Sequence, residues 1–479
     1  MFTTADLFGK FHSPKAPLHR ARNQLAQVPP HDLEQLFGSC FPPGLLAQAE
    51  EGPNSRERVF SVRVTFWAFL WQALSPAGSC RNALLKIIAW FSWLGLPKVK
   101  EDTSPYCKAR RRLDRDTLER ALRASAQAAE QRARQQWRFH GKEVMVADGT
   151  TSSAPDTKKN QRAYPQSAHQ MPGCGFPLVR WVALFSLSSG ALLEVVLGNK
   201  HQAELTLFRK LWHRLKAGMI FLADRGFCDY VTLVGLWRRG VDSVLRLHAT
   251  RPHDFRKGQR LGRYDRLVSW QKPKRKPRTA TRKLWESLPE QFTLRLIRYP
   301  VSVPGFRTSH IILVTTLLDP VAYPAAELAG LYLRRWRVEL FLRDIKTTMQ
   351  MDVLTCESPE MLYRELMMHL IAYNLVRCLM VEAASIHQVE LERISFKGSM
   401  DTLRHFGPVI AHARTRRQQS QLINDMFEVL AADLLPDRPH RVEPRHQKRR
   451  PKPFPFLIKP RAELKVRLLH TKKRRNNGA

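Results

Sequence analysis

Two aspartates follow strand-like runs in this sequence, at positions where a sheet would present them for chemistry. Asp148 comes directly after the run KEVMVA, and Asp224 comes directly after the run MIFLA. Because open α/β sheets bind ligands at the carboxyl ends of their strands, both carboxylates are candidates for a functional site. Either aspartate alone could instead cap the turn that follows its strand. The occurrence of two such positions in one sheet favours a functional role.

A predicted helix within residues 325–350 carries further polar groups on a single face. At about 100° per residue, four side chains fall within an arc of about 60°: Tyr332, Arg335, Glu339 and Lys346. Three apolar side chains on the other side are suited to packing on a sheet: Val338, Phe341 and Ile345. The alternative is a surface helix in which Arg335 and Glu339 form an ordinary i, i+4 ion pair.

Apolar strand-like runs alternate with runs of helical periodicity in the middle of the chain. The strand-like runs occupy residues 142–148, 178–187, 191–198, 219–224 and 243–247. The helical runs occupy residues 203–215 and 229–239. This alternation predicts an α/β core with a central sheet.

The regions on either side of this core differ from it in their pattern of apolar and charged residues. Residues 1–140 have helical periodicity, and residues 107–137 form a long helix-forming run with arginine clusters. Residues 250–320 are basic and contain two more strand candidates, so we interpret them as a β-rich insertion. Those candidates are the runs at 292–300 and 309–318.

The chain after the insertion is helical and then strongly basic. Helical periodicity returns at residue 325 and continues to about residue 432. Residues 438–479 carry 15 Lys and Arg against two acidic residues, and they include six prolines. A segment of this composition cannot build a core of its own, so an extended or disordered tail is expected.

The charge of the whole chain points to a polyanionic partner. The 479 residues contain 79 Lys and Arg against 42 Asp and Glu, a formal net charge of +37. Such an excess attracts phosphates and releases their counterions. Charge alone does not distinguish DNA from RNA.

Other classes of site are not favoured by the sequence. The seven cysteines are scattered and include no CxxC pair, so reduced thiols are expected, and the 17 histidines show no metal-binding spacing. No glycine-rich loop completes a nucleotide fingerprint, so neither ATP nor a nicotinamide is expected. Uninterrupted apolar runs do not reach about 18 residues, and the start lacks a signal peptide. We therefore expect a cytoplasmic protein that does not associate with membranes.

The spacing Tyr-x2-Arg-x3-Glu-x6-Lys on the predicted helix resembles the signature of the IS4 group of bacterial insertion-sequence DDE transposases. Other segments are similar to that group: FLWQALSPAGSCR (69–81), SPYCKARRRL (104–113), DGTT (148–151), GCGFPLVRWVALFSLSSGALLE (173–194), LKAGMIFLADRGF (215–227) and RRPKPFPFLIKPR (449–461). The similarity therefore spans about residues 60–461.

This resemblance implies a fold and a chemistry. The fold would be α/β, with a ribonuclease-H-like core in which Asp148, Asp224 and Glu339 converge, a β-rich insertion, and helical regions on both flanks. The three carboxylates would be the catalytic residues and would hold two Mg²⁺ ions, for which Mn²⁺ could substitute. Hard cations of this kind prefer oxygen ligands, and a pair of them can clamp the attacking and leaving oxygens of a phosphodiester. The expected reaction is cleavage at transposon ends followed by strand transfer into target DNA.

The same resemblance assigns Tyr332, Arg335 and Lys346 to a DNA phosphate near the transposon end. Arg246, on the strand after Asp224, is a further candidate for phosphate contact because of its position in the sheet. Hairpin-forming members use an aromatic side chain of the insertion to stack on a base. The strand at 309–317 has no Trp, and three aromatic residues elsewhere leave that role open: Trp270, Trp285 and Phe306.

We expect four regions in the chain. Residues 1–140 would bind double-stranded transposon ends, with Arg110, Arg111 and Arg112 as candidate contacts, and residues 141–350 would form the catalytic domain. Residues 351–436 would be a helical region suited to dimerisation on DNA, and residues 437–479 the basic tail. Two alternatives remain: a DNA-binding relic without catalysis, and a nuclease that cuts without joining.

Overall fold

The computed structural model describes residues 32–47, 58–76, 78–96, 98–248, 250–301, 310–437 and 454–476. Within these ranges the protein is a mixed α/β fold built on one nine-stranded sheet. The predicted α/β core is therefore confirmed. Phe306 lies outside the described residues.

Within the described part of residues 32–143, five α-helices precede the sheet, as the helical periodicity predicts: α1 (Asp32–Phe37), α2 (Val62–Leu74), α3 (Cys80–Trp93), α4 (Ser104–Arg112) and α5 (Arg115–Arg132). The expected single helix over 107–137 is wrong, because the chain turns between α4 and α5. Leu113 adopts an extended conformation, and the Asp114 side chain accepts a hydrogen bond from the Thr117 N–H at 2.8 Å. This N-cap starts a new helix.

The first five strands form one half of the sheet: β1 (Val144–Ser153), β2 (Leu178–Ser186), β3 (Leu192–Gly198), β4 (Ile220–Ala223) and β5 (Asp242–Arg246). Their spatial order is β3-β2-β1-β4-β5. β2 lies antiparallel to β1 and β3, whereas β4 lies parallel to β1 and β5. Three short helices accompany these strands: α6 (Lys158–Ala163), α7 (Glu204–Lys210) and α8 (Tyr230–Trp237).

The strand that carries Asp148 is longer than its apolar run. β1 pairs with β2 from Met145 to Ser153, so Asp148 lies inside the strand and not directly after it. The residues beyond Asp148 are polar and half-buried, and their backbone groups are paired by β2. Asp224 follows β4 directly, as predicted.

The region after β5 is rich in β-structure, as predicted, and it extends the same sheet. It contains β6 (Gln259–Gly262), β7 (Asp265–Gln271), α9 (Arg282–Glu286), β8 (Gln291–Pro300) and β9 (His310–Thr315). The two predicted strands correspond to β8 and β9, whereas β6 and β7 were not predicted. β9 pairs antiparallel with β5 and with β8, so the sheet continues without a break.

The segment that carries the Tyr-Arg-Glu-Lys residues is not one regular helix. It consists of α10 (Ala325–Arg334), α11 (Arg337–Arg343) and a π-helical turn at Asp344–Thr348. Between α10 and α11 the backbone tightens, since Arg335 N–H donates to the Tyr332 carbonyl at 3.0 Å. The predicted apolar face is nevertheless present, because Val338, Phe341 and Ile345 are all buried.

Three helices follow: α12 (Pro359–His387), α13 (Phe396–Ala411) and α14 (Arg416–Ala432). α12 is long and apolar enough to cross a membrane, but 89% of its most apolar window is buried inside the protein. Buried Asn374 of α12 bonds to both backbone groups of Leu192 in β3 and to Ser125 in α5. α12 is therefore a core helix that joins the N-terminal helices to the sheet.

The tail contains regular structure. Instead of an entirely extended segment, residues Arg461–Asn476 form helix α15. Two tail aromatics, Phe454 and Phe456, are exposed.

Candidate active site

The two aspartates lie side by side on neighbouring parallel strands. Val146 of β1 is paired with Leu222 of β4, and Asp148 and Asp224 each stand two residues further along. Parallel strands lie about 4.8 Å apart, so the two backbones are neighbours at this edge. Asp224 begins a short 3-10 turn, but its side chain makes no capping bond there. Capping therefore does not account for the Asp224 carboxylate.

Arg335 brings the third predicted carboxylate to the same place. Its Nη2 donates to Glu339 Oε1 at 3.2 Å, and its guanidinium lies 5.8 Å from the Tyr332 ring. The Tyr332 hydroxyl in turn donates to Asp224 Oδ1 at 3.5 Å. The charge of Arg335 also acts on Asp148. Arg335 thus contacts Glu339, and its charge acts on both aspartates.

Asp148 is held in a setting that disfavours its negative charge. Burial is the main cause that raises the pKa of Asp148 to about 6, and the nearby carboxylates of Glu204 and Glu339 raise it further. The Gly149 N–H and Arg335 oppose this shift. A cation placed among these groups would relieve the unfavourable charge.

The described residues do not contain a ready-made metal cage. No group of three or more His, Cys, Asp and Glu side chains within them is close enough to hold one metal ion. Glu339 instead pairs with Arg335. Metal binding would therefore need a shift of the Arg335 guanidinium.

Glu204 is an acidic neighbour of the site that the sequence did not reveal. A Cβ atom added to Gly149 would lie only 2.4 Å from Glu204 Oε1. The absence of a side chain at Gly149 thus leaves room for the Glu204 carboxylate beside β1. The glycine of the DGTT segment was the only signal that could have pointed to such an approach.

The remaining predicted phosphate ligands lie around the same edge of the sheet. Burial raises the pKa of Tyr332 to about 12, so its hydroxyl stays a hydrogen-bond donor. Arg246 ends β5 and is close enough for its charge to act on Tyr332. Lys346 is paired with Asp352, with 2.9 Å between Nζ and Oδ1.

The three arginines of α4 have different surroundings. Arg110 is only 5% exposed, so it does not lie on an exposed surface with its neighbours, and the DNA contact by these arginines stays a prediction. Arg111 is exposed, and Arg112 donates to the Phe60 carbonyl at 3.3 Å. Helical periodicity places Arg110 on the face that packs against α2.

The two described aromatic candidates for base stacking pack inside the protein. Trp270 is buried, with the Arg251 guanidinium 3.4 Å from its ring centroid. Trp285 is half-buried beneath Lys272. The choice of a stacking residue therefore stays open.

Comparison with known proteins identifies the family of this chain. Residues 139–375, which include every member of the proposed acidic triad, match the transposase DDE domain. The chain is 29% identical over 437 residues to transposase InsG of insertion sequence element IS4 from Escherichia coli (strain K12). This alignment covers 88% of the chain and 94% of the relative. The chain belongs to the IS4 group of DDE transposases. It is a DNA transposase, and the family generally uses divalent metals.

A more distant likeness exists among solved structures. The transposase aligns with piggyBac transposase in a synaptic complex with hairpin DNA, over 89% of this chain and 86% of that one. The identity is 9% and the TM-score is 0.40. The likeness is too distant for a comparison of the two sites residue by residue.

Proposed function

We propose that this transposase cuts DNA at the transposon ends and joins the freed 3′ ends to target DNA, with Asp148, Asp224 and Glu339 as its catalytic carboxylates. This proposal rests on the positions of Asp148 in β1 and of Asp224 directly after the adjacent parallel strand β4. Arg335 donates a hydrogen bond to Glu339, and its charge acts on both aspartates. The strand order β3-β2-β1-β4-β5, antiparallel and then parallel, supports a ribonuclease-H-like core.

The donor set fits Mg²⁺. All three side chains offer carboxylate oxygens, which hard divalent cations prefer, and the raised pKa of Asp148 marks a place where positive charge is favourable. When bound, Mg²⁺ would activate a water molecule and neutralise charge on the leaving 3′ oxygen. Glu204, beside Asp148, would add negative charge at the rim of this site.

The polar residues of α10, α11 and the π-helical turn would hold a DNA phosphate next to the carboxylates. Arg335 can present its planar fork to two phosphate oxygens, whereas Lys346 acts as a point charge. The Tyr332 hydroxyl is a neutral donor, and Arg246 adds charge from the neighbouring strand. In this arrangement Arg335 exchanges Glu339 for the phosphate, which frees the carboxylate for the cation.

We expect strand cleavage to depend on an oxygen-preferring cation. Cleavage of end DNA should occur with Mg²⁺ or Mn²⁺, stop with excess EDTA, and persist with a zinc-specific chelator, because the donors are oxygens only. Gel analysis of end-labelled duplexes measures this. Cleavage that persists at the wild-type rate in excess EDTA would contradict the assignment.

A second prediction concerns the ion pair between Lys346 and Asp352. Asp352 is 62% exposed, so the pair contributes little to stability, and a phosphate must displace it to reach Lys346. Asp352→Asn should therefore raise the affinity for end DNA severalfold at low salt, while Lys346→Met should lower it about tenfold. Fluorescence anisotropy at matched ionic strength measures both. Equal affinities in the two variants would refute a phosphate contact by Lys346.

We further propose a division of labour among the other regions. Residues 1–140 would recognise the transposon ends, residues 351–436 would support a homodimer on DNA, and residues 437–479 would add a salt-dependent contact with phosphates. The exposed Lys108 and Arg111 of α4 support the first assignment. Because α5 and α12 share a core, substitutions of surface charges test it better than deletion of residues 1–140.

A further inference from the structure

A large cleft lies beside the segment that carries Lys346, and its buried arginine, Arg110, makes no ion pair with a carboxylate among the described residues. The cleft has a volume of about 920 Å³ and is bounded by α2, α4, α6, the segment after the π-helical turn, and α12. Met349 and Gln350, which follow that turn, line one end of the cleft. The cleft therefore adjoins the segment that carries Lys346.

Arg110 belongs to the lining of this cleft and is 95% buried. Its guanidinium lies 4.0 Å from the Phe69 ring and donates to the sulfur atoms of Cys80 and Cys356. Within the described residues its Nε has no hydrogen-bond partner, and no carboxylate lies within ion-pair distance of it. A buried cation without a paired anion is unfavourable, so this position favours an anion in the cleft.

The buried Glu365 is close enough for its charge to act on Arg110, but the two make no ion pair in the structure. Glu365 lines the cleft, but its two oxygens accept hydrogen bonds from Thr355 and from the Cys356 backbone. Glu357 is exposed. Opposite them, three exposed cations line the cleft: Arg111, Lys158 and Lys159. Cations thus predominate in a space wide enough for a chain of phosphates.

We propose that this cleft binds the phosphodiester backbone of DNA that enters the active site, with Lys158, Lys159 and Arg111 contacting phosphates above the buried charge of Arg110. This inference rests on the proposed function, because it assumes that transposon-end DNA is the substrate. Arg110 would act through its field in a site of low dielectric, where an uncompensated charge attracts anions strongly. It is therefore a positioning residue and not a reader of bases.

The first test compares two pairs of lysine and arginine residues in the full chain. The double variant Lys158→Gln/Lys159→Gln removes the cleft cations, and Arg282→Gln/Lys283→Gln removes two exposed cations in the first turn of the short helix α9. Affinity for a duplex with the element's terminal repeat is measured by anisotropy at several salt concentrations. We expect the cleft variant to lower the slope of log affinity against log salt by about 1 to 2. The control should keep the wild-type slope.

The second test separates a phosphate-attracting role of Arg110 from a structural one. Arg110→Met removes the buried charge but keeps most of the volume, so the DNA-free protein should melt at the same or a higher temperature. Affinity for end DNA should fall about tenfold. A lower melting temperature with unchanged affinity, together with a wild-type salt slope for the lysine variant, would overturn the cleft assignment. If the proposed function fails, the wild-type chain will bind end DNA and scrambled DNA with equal affinity and will cleave neither. That result would overturn both the proposed function and the cleft assignment.

Discussion

Asp148→Asn, Asp224→Asn and Glu339→Gln should each lower the rate of strand cleavage by about 10³-fold or more, while end binding changes by less than about threefold. The amides keep the size and shape of the carboxylates, but they replace one acceptor oxygen by a donor NH2 group and lose the charge proposed to hold Mg²⁺. Stabilisation by a bound metal is worth several kcal/mol, and each 1.4 kcal/mol is a factor of ten in rate. Binding to DNA depends mainly on the cations, so it should persist.

The matched control for these variants is Glu286→Gln on α9. The Glu286 carboxylate pairs with Arg282, and Glu286 is distant in sequence from the three triad residues. It should leave both cleavage and binding at wild-type values. Single-turnover cleavage of labelled ends and anisotropy on the same preparations give the two readouts. Cleavage by any triad variant at a rate near that of the wild type would show that its carboxylate is not catalytic.

Arg295→Met should lower the free energy of unfolding by about 3 to 5 kcal/mol. Arg295 in β8 is fully buried, and it donates to both oxygens of Asp265 at 2.9 and 2.6 Å. Its Nη1 also donates to the carbonyls of Leu317, Asp319 and Tyr323. The substitution would leave a largely buried carboxylate and three carbonyls without their donor.

The same interaction positions the catalytic segment, because the turn at 317–323 leads into α10 and Tyr332. Urea denaturation of Arg295→Met is compared with Arg298→Met, which removes an exposed arginine from the same strand. The control should cost less than about 1 kcal/mol. The double variant Arg295→Met/Asp265→Leu should recover part of the lost stability, since it removes the stranded charge. Equal stability of Arg295→Met and Arg298→Met would contradict this role.

Periodicity in the sequence was sufficient to predict the elements that hold the site. The apolar runs before Asp148 and Asp224 are strands, and Val338, Phe341 and Ile345 are buried, because burial on one face imposes a regular spacing of apolar residues. The strand candidates at 292–300 and 309–318 correspond to β8 and β9 for the same reason.

The features that the sequence did not reveal depend on tertiary contacts. β1 continues past Asp148 because β2 pairs its polar residues, and the local sequence carries no trace of that partner. Glu204 reaches Asp148 only through the packing of α7 against the sheet. The sequence around Arg110 is typical of a solvated basic segment, but in the structure the Phe69 ring and the thiols of Cys80 and Cys356 contact Arg110.

Helical periodicity also could not predict the irregular backbone between Tyr332 and Lys346. Ideal helical angles place the four signature residues on one face, but the chain tightens at Arg335 and widens at Asp344, where Met349 N–H donates to the Asp344 carbonyl at 2.9 Å. In this segment Arg335 pairs with Glu339, and Lys346 lies beside Asp352. Local helix irregularities of this kind are frequent at functional sites.

The most direct measurement of the central claim is a strand-transfer assay with the purified full chain. Labelled duplexes that carry the terminal repeat are incubated with a supercoiled plasmid and Mg²⁺, and the products are resolved on a gel. The account predicts label joined covalently to the plasmid through transposon 3′ ends, and no joined or cleaved product from Glu339→Gln. Cleaved ends without joined product would indicate a nuclease, and intact ends that remain bound to the wild-type chain would indicate a DNA-binding relic. Either result would contradict the proposed function.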